Sequence, residues 1–147
     1  MIKVNVFVKD KNWNKYISSP ENYLKKKIKL LNNKIDLLKK KDANFSILLA
    51  GNKDIKLLNN KFRKKNKTTD VLSFPFYSSK EIKYKKKLYL GDVILNFYKI
   101  KKNNFEEEFN KLWIHGFLHL IGHKHYTDND FYKMNKLENK IFKKIIC

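Results

Sequence analysis

The eleven residues from His115 to His125, H-G-F-L-H-L-I-G-H-K-H, hold all four histidines of a 147-residue chain. His115 and His119 are four apart, so on a helix they share one face, a turn apart, within reach of a single metal ion. Were the helix to run on, His125 would lie about 15 Å further along the axis and face elsewhere. Gly122 intervenes, and glycine ends helices in the left-handed conformation at little cost. A chain that reverses there swings His125 back. The spacing H-x3-H-x2-G-x2-H therefore predicts a helix, a stop and a return that gather three imidazoles round one ion. Three ligands leave a fourth tetrahedral position for water, the layout of a catalytic zinc.

The same ligand spacing occurs in the metzincin proteases, H-E-x-x-H-x-x-G-x-x-H. Their glutamate, the general base of peptide hydrolysis, is replaced here by Gly116. The segment thus predicts a three-histidine site without the protease's base. His123 raises the alternative of a fourth ligand, which would close the site and make it structural. Adjacent loop residues seldom point the same way, so His123 is expected at the surface or behind the ligands.

A length of 147 residues with 42% apolar content suits one domain, residues 1–147, with a core of its own. The net charge of +20 invites a polyanionic partner, but the chain is also rich in Lys, Asn, Ile, Phe and Tyr, as AT-rich codon bias produces. Against that bias one residue stands out. Of 34 basic residues a single one, Arg63, is arginine. The lone cysteine, Cys147, excludes an internal disulfide and fits a reducing compartment. The first residues, MIKVNVFVKD, alternate like a strand rather than forming a signal peptide, and no stretch has the length of a membrane span. A soluble, cytoplasmic protein is expected.

Ile2, Val4, Val6 and Val8 fall on one face of a first strand, and Phe7 on the other implies that both are at least partly covered. Pro20 and Glu21 open a helix expected over about 20–40, with Leu24, Ile28, Leu31, Ile35 and Leu38 on its apolar stripe. Residues 44–50 (NFSILLA) read as a buried strand. Asp54 is placed to cap a short helix with Ile55, Leu58 and Phe62 inward. Val71 to Phe74 reads as a strand edged by Pro75, and 76–87 as a loop with lysines at 83, 85, 86 and 87. A strand over 88–95 is interrupted at Gly91-Asp92, where a bulge or a close backbone approach is expected. The histidine helix starts near Asn104, with Glu106, Glu107 and Glu108 in its first turn, where the helix dipole favours acids. It is apolar nearly all round from Leu112 to Ile121, hence buried. Thr127, Asp128 or Asp130 caps a last helix with Phe131, Met134, Leu137, Ile141 and Ile145 inward.

H-G-x-L-H-L-x-G-x-x-H, with the upstream T-D-V-L-S-F-P and L-G-D-V-I, resembles the YbeY family of bacterial metal-dependent endoribonucleases, and the three motifs occur in order along most of the chain. The resemblance implies an α+β fold: a small mixed sheet of about four strands packed with helices, and a central buried helix carrying the metal-binding histidines. It implies one zinc ion held by His115, His119 and His125. It implies a single-strand-specific endoribonuclease acting in ribosomal RNA processing, at the 3′ end of 16S rRNA, and in ribosome quality control, with RNA and ribosomal proteins as partners. The family's functionally important arginine follows an aromatic residue shortly before T-D-V-L-S-F-P; here that is Phe62-Arg63. In one respect the chain departs from the family, with His123-Lys124 where Tyr-Asp is usual, which removes a carboxylate that would orient a ligand or handle a proton.

Zinc at such a site brings the pKa of bound water near 7, and a guanidinium can hold the non-bridging oxygens of a phosphodiester with two-pronged geometry. Arg63 is the candidate for that catalytic role, and the lysines at 64–67 and 83–87 are candidates for gripping the RNA backbone. Two rivals remain: a metzincin-like metalloprotease, and a non-catalytic zinc-containing ribosome-associated factor. On composition alone, Asp70 and Asp92 are turn residues.

Overall fold

The structure, a computed structural model, describes residues 1–124 and 126–146. Its frame is a four-stranded mixed sheet of β1 (Ile2–Val8), β2 (Asp42–Ala50), β3 (Val71–Pro75) and β4 (Lys87–Asn96), in the order β1-β2-β4-β3. β1, β2 and β4 run parallel, and β3 pairs antiparallel with β4 at the edge. Five α-helices are described: α1 (Pro20–Lys29), α2 (Asn52–Arg63), α3 (Ser79–Tyr84), α4 (Phe105–Leu120) and α5 (Asp128–Ile146). The fold is α+β, as expected.

Alternation along the strands sends Val4, Phe45, Ile47, Leu90 and Val93 to one face, where they bury with Leu24 and Ile28 of α1 and Trp113 and Phe117 of α4. The opposite face is smaller. There α2 covers Ala50, Leu72 and Ile94 with Ile55. Lys3, Asn5 and Phe7 lie beyond the helix's reach, and Phe7 is 52% exposed. The expectation that both faces of β1 are at least partly covered is therefore corrected, with Lys3, Asn5 and Phe7 all exposed: α2 reaches only the half of the sheet near β3.

The helix expected over 20–40 ends at Lys29. Its amphipathic stripe is nevertheless buried throughout, from Leu24 to Leu38, because a chain of turns and a short 3-10 helix (Asp36–Leu38) carries the same side chains inward. The break has a cause in two asparagines. Asn32 accepts a hydrogen bond from the Ile2 amide at 2.8 Å, and Asn33 takes a left-handed φ of 64°. The expected loop 76–87 contains α3, opened by a full capping box in which Ser78 accepts from the Glu81 amide and Glu81 from the Ser78 amide. Gly51, not Asp54, is the N-cap of α2, and Asp54 sits in its first turn. Phe62 and Phe131, expected inward, are 59% and 62% exposed.

Other expectations hold. β4 carries its bulge at Leu90-Gly91, opposite the single Phe45, with Gly91 at φ 134°. α4 begins after Asn104, and Thr127 Oγ1 accepts from the Asp130 amide at the start of α5. Some of the positive charge is structural. Lys41 Nζ donates to the carbonyls of Ile82 and Lys85, and Lys27 Nζ to that of Ile145. Among the described residues no helix is long and apolar enough to cross a membrane.

Candidate metal centre

α4 ends as Gly122 requires. The Gly122 amide donates to His119 O at 3.2 Å and the His123 amide to Leu118 O at 3.1 Å, the paired bonds of a Schellman motif, with Gly122 at φ 100°. The start of α3 packs against this turn, for a Cβ on Gly122 would come 2.8 Å from Ser79 Cβ. The turn is thus held from both sides.

His115 and His119 emerge from the last two turns of α4 with ring planes at 83° and centroids 4.7 Å apart. Their Nε2 atoms stand 3.1 Å apart. Each Nδ1 faces an oxygen: His115 Nδ1 lies 2.7 Å from Glu138 Oε1, and His119 Nδ1 lies 2.8 Å from His123 O. A carbonyl or an ionised carboxylate can only accept, so both rings carry their proton on Nδ1. In the neutral rings both Nε2 atoms then present lone pairs to the same point. Two imidazoles on a tetrahedral zinc at about 2.05 Å would have nitrogens about 3.3 Å apart. The pair fits a metal ion, and its Nδ1 partners are of the kinds that orient metal-bound histidines.

His125 lies outside the described residues. Among the described residues no group of three His, Cys, Asp or Glu side chains is assembled. His123 lines the same cleft as His115 and His119, and its backbone carbonyl positions the His119 ring. The half-buried His123 ring has its pKa pushed down by burial, opposed by the charge of Glu138.

Glu138 was missed in the sequence reading, although the signal was present. It lies four residues after Met134 and three before Ile141, both buried, so a carboxylate sits on the inward face of α5. Its carboxylate is 25% exposed.

Arg63 comes from the end of α2, on the other face of the sheet. Its side chain rounds the edge strand and donates from Nη2 to Ser73 O at 3.0 Å, with Cζ 5.7 Å from the Phe74 ring. Arg63 and the two imidazoles open into one cleft of about 610 Å³, which Lys65 and Lys124 also line. The position of the metzincin base faces away from it. A Cβ on Gly116 would meet Val93 Cγ1 at 2.6 Å, and Ser73 Oγ donates to Gly116 O at 2.9 Å. Position 116 is pressed onto the sheet and has no room for a glutamate. Of the two aspartates, Asp70 is exposed in the loop before β3, whereas Asp92 is half-buried in β4 and accepts from the Tyr89 hydroxyl.

Known proteins match this chain along nearly its whole length. The solution structure of TM1509 from Thermotoga maritima superposes with a TM-score of 0.60 at 24% identity, covering 99% of this chain and 89% of that one, a likeness of fold. A Pelagibacter ubique protein named Endoribonuclease YbeY is 42% identical, with 97% of this chain and 95% of the relative covered. One of the same name from Ehrlichia canis is 32% identical over 99% of this chain and 93% of its own. The family model described as Endoribonuclease YbeY matches residues 7–146. With a family model over most of its length and relatives at this identity, the chain belongs to the YbeY family.

Proposed function

We propose that this chain is a zinc-dependent endoribonuclease that cuts single-stranded RNA in ribosomal RNA maturation, at the 3′ end of 16S rRNA, and that it serves ribosome quality control in the cytoplasm. The supporting observation is the pair of imidazole Nε2 atoms 3.1 Å apart, both rings held through Nδ1, in the same cleft as the chain's one arginine. His115, His119 and His125 would hold the ion. Bound there, zinc would supply Lewis acidity for activating water and polarising a phosphoryl oxygen.

The chain's own groups do the rest. Glu138 and the His123 carbonyl keep both rings in the tautomer that turns Nε2 to the cleft. Arg63, anchored on Ser73 O by one nitrogen and with Cζ 5.7 Å from the Phe74 ring, keeps further N–H donors for a phosphate's non-bridging oxygens. Lys65 and Lys124 add positive potential along the strand's path. Peptide hydrolysis by the metzincin route is disfavoured because Gly116 faces the sheet.

The test is incubation of zinc-loaded protein with single-stranded RNA and with casein. RNA cleavage that stops on chelation supports the reading; cleavage of casein, or RNA cleavage indifferent to chelation, overturns it. Arg63→Ala is expected to keep its zinc and lose roughly 10²-fold in RNA cleavage, the scale of removing one transition-state donor. Unchanged rates would take Arg63 out of the mechanism. Glu138→Ala is expected to weaken zinc binding about 10- to 100-fold in chelator competition, with partial recovery in Glu138→Gln, whose amide oxygen still accepts from Nδ1. Equal affinity in all three proteins would remove Glu138 from the site.

A further inference from the structure

Arg63 connects the cleft to a row of aromatic rings around the edge of the sheet. Its guanidinium lies against Phe74, and Phe74 meets Phe62 edge-on at 5.4 Å between centroids. Two residues on, Phe76 stands against Tyr89 at 6.2 Å and Tyr77 at 4.8 Å. Phe62, in the last turn of α2, and Phe76, just after β3, are 59% and 66% exposed. Phe74 and Phe76 lie on the sheet face that α2 leaves partly open, and the edge strand β3 separates them from the cleft, which Pro75 lines from between them in sequence.

Phe74 and Tyr77 are backed by core residues, and cations stand beside the rings of the row. Lys61 Nζ is 5.3 Å from the Phe62 ring and Lys85 Nζ is 5.1 Å from the Tyr77 ring, in addition to Arg63 on Phe74. Lys87, next but one to Tyr89 in β4, is exposed on the same face. Flat exposed rings spaced by ammonium groups complement a polymer of flat bases on a phosphate backbone. A protein partner's apolar face would find its contacts broken by desolvated charge.

The geometry points to Phe62, Phe74 and Phe76 as a stacking track along the β3 edge, on which bases of single-stranded RNA lie as the strand enters or leaves the cleft. This rests on the endoribonuclease reading and adds to it a source of preference for unpaired RNA, since a duplex keeps its base faces stacked and unavailable.

The test is steady-state cleavage by the zinc-loaded protein of unstructured RNAs from three to twelve nucleotides. For the wild type, KM should fall with length as the track fills. The double variant Phe62→Ala/Phe76→Ala should lose about 5- to 50-fold in KM on the twelve-mer, on the scale of aromatic stacking with one or two bases. It should match the wild type on the trinucleotide, and its salt dependence should be unaltered because no charge is removed. Phe62→Trp/Phe76→Trp should restore the length dependence. The track is wrong if the double variant keeps the wild-type KM on the twelve-mer, or if it loses kcat equally at every length. A shift in sedimentation coefficient with RNA affinity unchanged would instead assign the rings to a second copy of the chain. Failure of the wild type to cleave any RNA would overturn the underlying function itself.

Discussion

His119→Ala is expected to abolish zinc binding and to lower RNA cleavage by on the order of 10³-fold, the upper scale for losing one electrostatic contribution to a transition state. The substitution removes one of two Nε2 atoms that stand 3.1 Å apart, and with it the bond that ties the α4 turn to His123 O. Of the three histidines proposed to hold the ion, the pair that chelates from one face of α4 is then broken. A stability measurement separates this from simple unfolding. Zinc at about 1,000 times its dissociation constant should stabilise the wild type by about 4 kcal/mol, and the variant not at all. The metal-free variant should melt within a few degrees of the metal-free wild type, because the ring is only half-buried at the mouth of the cleft. A variant still stabilised by zinc would remove His119 from the site.

Gly91→Ala is expected to cost about 3 to 5 kcal/mol of stability, the range in which a clash adds to a strained backbone. Gly91 holds φ 134°, and a Cβ there would come 2.2 Å from the carbonyl oxygen of Phe74 and 3.1 Å from Leu120 Cδ2. The first obstacle is backbone in the paired edge strand, so it cannot rotate away. The second is the last turn of α4. The bulge therefore sets how closely β3, which carries Ser73 and Pro75, and the histidine helix approach one another. Thermal denaturation should show a fall in Tm of roughly 10 °C or more. Gly51→Ala is the control: its Cβ would meet only the ends of the Asp10 and Tyr98 side chains at 2.9 Å, at an extended φ. Similar losses for both variants would show that the close approach at Gly91 is not what fixes the edge strand.

Much of the fold could be read locally. The strands, the bulge, α4 with its acidic first turn, and the start of α5 all follow from periodicity and caps. The misreadings have physical causes. The stripe Leu24 to Leu38 has helical period, yet α1 stops at Lys29, because burial is satisfied as well by turns and the Asn32 side chain is taken by the first amide of β1. α3 was hidden among lysines, although Ser78-x-x-Glu81 is a capping signature. Phe62 and Phe131 looked like core because aromatic side chains usually are. Only the limited reach of α2 across the sheet, and the packing of α5, leave them outside.

What the sequence by itself determined is the helix, stop and turn from His115 to His123. Their geometry depends on residues within two turns of one another, through the 3.6-residue period and a glycine that tolerates positive φ. Tertiary structure alone decided what surrounds those rings. Glu138 reaches His115 across 23 residues because α5 folds back on α4, and Arg63 reaches the cleft because α2 ends beside the antiparallel edge strand. No local pattern encodes such partners, since strand order and helix packing, not chain neighbours, set the distances between them.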